Sequence, residues 1–281
     1  MDLRIATCSE LSEPDPDRAP LDAALVDAGV RACWLAWDDP AIDWSAPVPT
    51  VVRTTWNYHL DLPSFLAWSE RVARAAPLWN PPDVIRTNTH KGYLVELSQR
   101  GVPVVPTTLV ARGTTGAPSI ASLGHSRVVV KPAVGAGSVG TRAFAGDDPE
   151  ADAHALRLAA DRDVLVQPYV ASVDGHGERS LVWIDGVFTH QVRKSPRFAG
   201  DSESVTGPFP ITPDEAAVGH AALAPWRDQL LYARVDLARD AAGAPMVMEV
   251  ELTEPSLFFA LGSGSAERFV AGIARRLRAR T

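Results

Sequence analysis

A glycine-rich segment follows an apolar run in the middle of the chain. Lys131 opens the segment, and Gly135, Gly137, Ser138 and Gly140 follow it. Backbone N–H groups in glycine-rich turns bind phosphate oxygens well, and a neighbouring lysine adds positive charge. The segment therefore predicts a loop that folds over the phosphates of a nucleotide.

The same segment has other interpretations. Gly135, Gly137 and Gly140 match the spacing of a dinucleotide fingerprint, but that fingerprint needs a helix after the loop, and residues 141–144 are typical of a strand. A serine-hydrolase elbow needs glycine where the chain has Ala136. A glycine-rich hairpin that binds no ligand stays open as an alternative.

Acidic side chains alternate on two predicted strands near the C-terminus, on either side of a turn at residues 239–245. In the expected antiparallel register, Asp236 lies opposite Glu249 and Arg234 lies opposite Glu251. Three carboxylates then converge, and carboxylate oxygens are the ligands that Mg²⁺ prefers. An exposed acidic face paired with arginines is the alternative.

A third signal is the short apolar strand that ends at Gln167 and Pro168. Because proline cannot donate to a strand ladder, the strand is expected to stop there, with its last backbone groups free to bond a flat base. Glu178, in the following loop, could accept hydrogen bonds from ribose hydroxyls.

Lysine is rare in this chain, which has 24 arginines and only 3 lysines. An ammonium group is a compact charge on a flexible stem, whereas a guanidinium group is a rigid fork. The positions that keep lysine, Lys91, Lys131 and Lys194, are therefore candidates for a function that needs an ammonium group. Chance survival of these lysines is the alternative.

Strand-length apolar runs and helical patterns alternate around these residues. The first 80 residues predict a small α/β unit with a mostly parallel sheet, and the paired prolines in residues 80–83 predict a linker. A helix is expected over residues 89–99. A hairpin is expected about Asp185 and Gly186, and residues 194–213 are expected to form a long functional loop without regular structure.

Composition excludes several classes of protein. The chain has 281 residues, 46% of them hydrophobic, and a net charge of −7, which is typical of a globular protein. Nucleic-acid binding depends on clustered basic residues, so no nucleic-acid partner is expected. No run approaches the ~20 apolar residues of a membrane helix, so we expect no membrane partner and a cytoplasmic location. Cys8 and Cys33 are expected to be free thiols without a chemical role.

Taken in order, these pieces resemble the ATP-grasp superfamily over residues 85–256. The resemblance implies an α/β fold of the α+β ATP-grasp type, in which two α+β subdomains grip ATP between them after an N-terminal parallel α/β domain. The implied divisions are an N-terminal domain at 1–84, a small lid subdomain at 85–165, and a C-terminal subdomain with the magnesium site at 166–281.

The resemblance also implies roles for individual residues. The expected phosphate-binding and catalytic cations are Lys91, Lys131, Arg193 and Arg234. The expected contacts to adenine and ribose are Gln167, Tyr169, Val170 and Glu178. The expected ligands of Mg²⁺, with two ions implied, are Asp236, Glu249 and Glu251, although many relatives carry asparagine at the position of Glu251.

Four segments, at residues 53–58, 177–182, 192–194 and 254–258, are similar to RimK/glutathione-synthetase-like ligases and to the O-ureidoserine cyclo-ligases of cycloserine biosynthesis. These families usually carry aspartate where this chain has Asn57. The similarity implies that ATP activates the carboxylate of an amino acid or small peptide as an acyl phosphate, which an amine attacks, sometimes within the same molecule to close a ring. ADP and phosphate leave, and a homodimer or homotetramer is plausible. A kinase with a stable phosphorylated product and a non-catalytic ATP-binding module are the alternatives.

Overall fold

A computed structural model describes residues 1–137, 139–195 and 204–279. The strands are β1 (Leu3–Thr7), β2 (Ala32–Ala36), β3 (Thr50–Thr54), β4 (Leu78–Trp79), β5 (Thr108–Val110), β6 (Arg127–Pro132), β7 (Arg142–Ala145), β8 (Val164–Pro168), β9 (Glu178–Ile184), β10 (Val187–Lys194), β11 (Val205–Phe209), β12 (Tyr232–Arg239) and β13 (Pro245–Glu251). The α-helices are α1 (Arg18–Asp27), α2 (Leu62–Ala75), α3 (Pro82–Asn88), α4 (Tyr93–Gln99), α5 (Pro149–Ala159), α6 (Ser172–Gly175), α7 (Pro213–Leu223) and α8 (Ser265–Arg278). Short 3-10 helices cover Tyr58–Leu60, Ile120–Leu123, Arg227–Gln229 and Phe259–Leu261. None of the helices in the described ranges is long and apolar enough to cross a membrane.

The N-terminal sheet is parallel throughout and has the strand order β2-β1-β3-β4. Ile5 and Val51 pack with α1 and α8 on one side of this sheet, and Val52 packs with α2 on the other. Parallel strands covered on both faces carry continuous apolar runs, which is why this unit could be predicted from the sequence. The expected parallel α/β unit is confirmed.

Helix α2 shows how the local sequence sets an element. Asp61 caps its first turn by accepting from the Ser64 N–H over 3.1 Å. Phe65, Trp68 and Val72 follow at helical spacing and are all buried against the sheet.

The second sheet is antiparallel, with the order β5-β8-β6-β7, and α5 packs on it. The glycine-rich segment joins β6 to β7, which pair in antiparallel register with Val130 opposite Arg142. No helix follows the loop directly, so its setting is that of a hairpin and differs from the strand-turn-helix of a dinucleotide fold.

The third sheet is also antiparallel, with the order β11-β10-β9-β12-β13. The hairpin between β9 and β10 turns at Asp185 and Gly186 as predicted. Helix α7 covers one face of this sheet, and helix α8 reaches the other face beside the N-terminal unit.

Three predicted elements were wrong. Helix α3 starts at Pro82 within the predicted linker, because proline at the first helical position loses no needed hydrogen bond. The helix predicted over residues 89–99 begins only at Tyr93. Strand β11 pairs with β10 inside the segment predicted to lack structure, of which residues 196–203 lie outside the described residues.

The predicted divisions at residues 84 and 165 do not follow the sheets. Helices α3 and α4 pack on the third sheet, where the Asn88 amide donates to the carbonyl of Val250 over 2.7 Å and accepts from the N–H of Leu252 over 2.7 Å. Residue 165 lies inside β8 of the second sheet. The segment of residues 82–105 therefore belongs with the C-terminal sheet by its contacts.

A buried ion pair joins the N-terminal unit to the loop after β13. Arg53 binds Asp17 over 3.0 Å and the carbonyl of Pro255 over 2.8 Å, and each charged side chain is 1% exposed. Asp17 in turn accepts from the N–H groups of Leu257 and Phe259. The segments around residues 53–58 and 254–258, singled out separately in the sequence, therefore touch.

Candidate active site

A cavity of about 680 Å³ lies where the second and third sheets meet the N-terminal unit. Residues from β6, β8, β9, β10, β12 and β13 line it, together with residues 10–13 and 56–60 of the N-terminal unit. Its volume lies in the range of small-molecule and cofactor sites.

All three lysines of the chain line this one cavity. Lys91 lies between α3 and α4, Lys131 lies on β6, and Lys194 ends β10. Three elements distant in sequence thus bring every ammonium side chain of the protein to one place. The rarity of lysine was therefore a signal for all three positions, although the resemblance had assigned roles to only two of them.

Lys91 contacts both the glycine-rich loop and strand β13. Its Nζ lies 2.9 Å from Glu249 Oε1 and donates over 2.9 Å to the carbonyl of Gly135. Burial alone would lower the pKa of Lys91, but the neighbouring Glu249 carboxylate raises this pKa above its ordinary value. The ammonium group therefore stays charged.

Lys131 differs from the other two lysines. Its Nζ has no hydrogen bond or ion pair with the residues that the structure describes, and burial lowers its pKa. An anionic ligand would supply the missing partner. This position fits the phosphate-binding role that the resemblance implied.

Lys194 was not assigned a role from the sequence, yet it lies at the centre of the charged cluster. Its Nζ contacts Glu178 Oε1 at 2.5 Å and Asp236 Oδ2 at 2.7 Å. Burial raises the pKa of Glu178 to about 7 even beside this ammonium group. The pKa of Asp236, which burial would raise, is instead held far below its ordinary range by Arg234 and Lys194.

Arg193, the neighbour of Lys194, was expected in the site but does not line the cavity. It pairs with Arg179 on the opposite face of the sheet, and its guanidinium donates to the carbonyl of Gly175 over 2.7 Å. Successive residues of a strand point to opposite faces, so the adjacent side chains of Arg193 and Lys194 lie on opposite faces of the sheet. The structure thus brings Lys194, and not Arg193, to the cavity.

The pairing of β12 with β13 agrees with the predicted register. Asp236 lies opposite Glu249, and Arg234 lies opposite Glu251. Arg234 donates two hydrogen bonds to Asp236, of 2.8 and 2.9 Å, and also contacts Glu251. Two parallel N–H···O bonds of this kind fix both position and orientation of a guanidinium group.

The predicted magnesium ligands differ in their access to the cavity. Glu249 and Glu251 line the cavity and offer hard oxygen donors, which fit Mg²⁺. Asp236 is 1% exposed, lies beneath the cavity surface, and has both oxygens engaged by Arg234 and Lys194. Within the described residues, no group of three or more His, Cys, Asp or Glu side chains is arranged to hold a metal ion. Arg234 contacts both Asp236 and Glu251, and Lys91 contacts Glu249, so protein cations occupy the carboxylates that were predicted to bind magnesium.

The predicted adenine contacts form the other end of the cavity. Gln167, Tyr169 and Val170 all line it, as does a set of apolar side chains that includes Val105, Val129, Val173 and Met248. Gln167 is held by a hydrogen bond from its amide to Thr107 Oγ1 over 2.8 Å. An apolar slot beside exposed backbone groups suits a flat heteroaromatic base.

The glycine-rich loop borders the cavity between these two ends. Gly135 and Gly137 line it, and Gly137 and Gly140 have positive φ of 60° and 75°, a backbone conformation that glycine adopts without strain. Gly140 also lies so close to Pro132 that a side chain at this position would press on the proline ring. Ser138, also predicted to bind the nucleotide, lies outside the described residues.

Residues of the N-terminal unit and of the loop after β13, to which the sequence assigned no binding role, form a further wall of the cavity. Trp56, Tyr58, His59, Glu254 and Ser256 line the cavity there, and the Trp56 indole N–H donates to the backbone carbonyl of Glu254 over 3.2 Å. Trp56, Tyr58, Glu254 and Ser256 lie in the segments singled out for their resemblance to ligases, whereas His59 follows the first of these segments. Their contact across the two units could not be read from either segment alone.

Comparison with known proteins places this geometry in a family. A family model described as the N-terminal domain of D-cycloserine synthetase DcsG matches residues 3–80. The cycloserine biosynthesis protein DcsG of Streptomyces lavendulae is 35% identical over 283 residues, which cover 94% of this chain and 95% of that protein. The chain belongs to the D-cycloserine synthetase DcsG family. It is accordingly an ATP-grasp ligase.

Solved structures agree with this family assignment. The crystal structure of D-cycloserine synthetase DcsG superposes with a TM-score of 0.89 at 35% identity and covers 98% of this chain and 99% of that one. A D-alanine–D-alanine ligase from Bacillus anthracis shares the fold with a TM-score of 0.70 at 16% identity, covering 100% of both chains. A RimK-domain ATP-grasp protein from Sphaerobacter thermophilus has a TM-score of 0.69 at 18% identity, covering 96% of this chain and 99% of that one. The ATP-grasp fold expected from the sequence is confirmed.

Proposed function

We propose that this DcsG-family ligase closes the ring of cycloserine by activating the carboxylate of O-ureidoserine with ATP. The observation that carries the proposal is the cavity itself. It joins a slot for a base, all three lysines of the chain, and the wall formed by the DcsG-like segments around Trp56 and Glu254.

ATP is proposed to lie between the second and third sheets. Its adenine would occupy the slot beside Gln167, Tyr169 and Val170, where apolar side chains exclude water. Its phosphates would reach Lys91 and Lys131, and the glycine-rich loop would cover them. Glu178 is proposed to accept from the ribose, although its present contact with Lys194 also suits a role in holding that lysine.

Glu249 and Glu251 are proposed to hold Mg²⁺, with two ions expected when ATP is bound. When bound, the metal would offset the negative charge of the phosphates during phosphoryl transfer. Asp236 could join the ligands only if Lys194 or Arg234 released one of its oxygens. In the arrangement described, its role is to hold these two cations in position.

Lys194 and Arg234 are proposed to act on the substrate carboxylate. The carboxylate oxygen takes the γ-phosphoryl group of ATP, ADP leaves, and an acyl phosphate forms. The ureido nitrogen within the same molecule then attacks the carbonyl carbon and loses a proton, and phosphate departs. Fixed positive groups at such a site stabilise the charge that develops on the oxygens. Hydrolysis of the carbamoyl group to carbon dioxide and ammonia would leave cycloserine.

The test is to measure ADP, AMP and phosphate release with magnesium-ATP and a panel of amino acids and dipeptides that includes O-ureidoserine, with product masses determined in parallel. We expect ADP and phosphate with O-ureidoserine, and a product lighter by one water, or by one carbamic acid if the carbamoyl group is hydrolysed. A stable product heavier by a phosphoryl group would instead identify a kinase. ATP binding without turnover on any panel member would contradict the proposal.

A further inference from the structure

Four glutamates line the cavity from β9, from β13 and from the loop after β13, and three of them contact protein cations. Glu249 contacts Lys91, Glu251 contacts Arg234, and Glu178 contacts Lys194. Glu254 lines the same cavity, but its carboxylate makes no hydrogen bond or ion pair with the residues that the structure describes. A partly buried carboxylate without a cation is costly unless a ligand supplies one.

The cavity also contains a lysine that has no anionic partner among the described residues. Lys131 lacks an anionic partner within the described ranges, whereas Lys91 and Lys194 each contact a carboxylate. Among these lysines and the glutamates that contact them or follow them on the same loop, Lys131 and Glu254 are thus left for ligands to neutralise within the described residues. Phosphates of ATP would satisfy Lys131, and the second ligand should therefore bring a positive charge to Glu254.

Glu254 stands between the charged strands and the N-terminal wall. Two residues separate it from Glu251, and its own carbonyl accepts a hydrogen bond from the Trp56 indole N–H over 3.2 Å. Burial and the nearby carboxylates of Glu251 and Glu249 raise the pKa of Glu254 to about 8. An ammonium group beside it would favour its ionised form instead.

We propose that Glu254 binds the α-ammonium group of the amino-acid substrate while Lys194 and Arg234 bind its carboxylate. The inference rests on the proposed function and assigns a residue to the ammonium group of its amino-acid substrate. In such a molecule the ammonium-bearing carbon adjoins the carboxyl carbon, so the two binding groups must be neighbours. Glu254 meets this condition because Arg234 donates to the carbonyl of Ser256 on the same loop over 3.3 Å, and Glu254, Arg234 and Lys194 line one cavity.

A bound Mg²⁺ ion would be the other cation for this carboxylate, and the experiment separates the two. Glu254→Gln is compared with the wild-type enzyme on O-ureidoserine and on the analogue in which hydrogen replaces the α-amino group. Charge-assisted hydrogen bonds are worth roughly tenfold or more in affinity. We expect the variant to raise the KM for O-ureidoserine by at least about tenfold, with the KM for ATP and the magnesium dependence unchanged.

The analogue supplies the decisive comparison. Because it has no ammonium group, we expect the wild type and Glu254→Gln to use it equally well. An equal loss on both compounds, or a shift in the magnesium requirement, would overturn the proposal. Glu96→Gln, a change at an exposed glutamate of α4, should alter neither compound and serves as the matched control.

A binding measurement keeps this inference separate from the choice of reaction. Calorimetry with a non-hydrolysable ATP analogue and each amino acid of the panel detects the ammonium site even if O-ureidoserine is not turned over. Binding of any α-amino acid that is weakened at least about tenfold by Glu254→Gln supports the assignment. Binding that the variant leaves unchanged overturns it, and Glu254→Asp, which keeps the charge, should restore part of the affinity if the variant fold is intact.

Discussion

Asn57 donates its amide Nδ2 to Asp38 Oδ2 over 2.7 Å, and its Oδ1 accepts the indole N–H of Trp37 over 2.7 Å. The other carboxylate oxygen of Asp38 accepts from both the N–H and the Oγ–H of Ser9 over 2.9 Å. Ser9 leads directly into residues 10–13, which line the cavity. The pair of Asn57 and Asp38 therefore anchors the loop at the substrate side of the site.

Replacing Asn57 with aspartate, the residue more usual in similar ligases, should release this loop. A carboxylate at position 57 would face the carboxylate of Asp38 without a proton between them, and two like charges at hydrogen-bond distance repel. We expect Asn57→Asp to raise the KM for the amino acid by roughly tenfold and to leave the KM for ATP unchanged. Amide hydrogen exchange at residues 9–13 should become faster.

The exchanged double variant is the control for that change. Asp38→Asn combined with Asn57→Asp keeps the net charge and allows every hydrogen bond of the group, with the amide now at position 38. We expect the double variant to recover both the KM and the slow exchange. If it is as impaired as the single variant, the pair does not act through this hydrogen bond.

An amine-directed reagent should report almost entirely on the active site, since all three lysines line the cavity. We expect acetylation to modify Lys131 first, because burial lowers its pKa and it contacts no described carboxylate, so its neutral amine is the most available. Lys91 and Lys194 should react more slowly because carboxylates hold them in the charged form. Peptide mass spectrometry measures the three rates.

ATP should protect Lys131 from this reagent. Met1 is exposed and does not line the cavity, so its α-amino group is the internal control and should react equally with and without nucleotide. Lys131→Ala is expected to lower turnover by about a hundredfold, as for the loss of one preorganised charge-stabilising group, while Arg157→Ala removes an exposed charge from α5 with little effect. Acetylation of Lys131 that ATP does not slow would contradict the phosphate-binding role.

The sequence alone was sufficient to predict the structure where short-range patterns determine it. The pairs of Asp236 with Glu249 and of Arg234 with Glu251 are those predicted from side-chain alternation, and a register shift between Asp236 and Leu237 lies on the turn side of both pairs. Side-chain alternation does not predict how deeply each side chain is buried. Asp236 is buried beneath Arg234 and Lys194, and this depends on the neighbouring strands that cover it.

The position of Arg193 outside the cavity has a definite physical cause. With an uninterrupted hairpin turning at Asp185 and Gly186, Arg193 would lie opposite Glu178. The register shifts by one residue between Phe188 and His190, which places Lys194 opposite Glu178 instead. A bulge of this kind adds one residue to one strand and reverses the face of everything beyond it. Nothing in the local composition marks its position.

The buried pair of Arg53 and Asp17 should be a large contributor to stability. Removing one partner of a fully buried ion pair leaves the other charge uncompensated, which costs about 3–5 kcal/mol. We expect Arg53→Met to lower the free energy of unfolding in urea by this amount and to loosen the loop that carries Glu254, because Arg53 also binds the carbonyl of Pro255.

The matched control for that change is Arg31→Met. Arg31 also pairs with an aspartate, Asp2, but its side chain is 76% exposed, and exposed pairs contribute about 0–1 kcal/mol. A loss of stability in Arg53→Met no larger than in Arg31→Met would show that the buried pair does not hold the two units together.

Glu254 should also set how the stability of the ligand-free protein depends on pH. Its folded-state pKa is raised to about 8 from 4.5, so the folded chain binds a proton that the unfolded chain releases. That group therefore favours the folded state most at low pH, and the benefit is lost as pH rises from about 4.5 through 8. We expect Glu254→Gln, which cannot ionise, to be more stable than the wild type at pH 8, with the difference in unfolding midpoint temperature shrinking toward pH 5. Glu96→Gln should show no such trend. A difference that stays constant between these two pH values would mean that the Glu254 carboxylate is already ionised in the folded protein at pH 5.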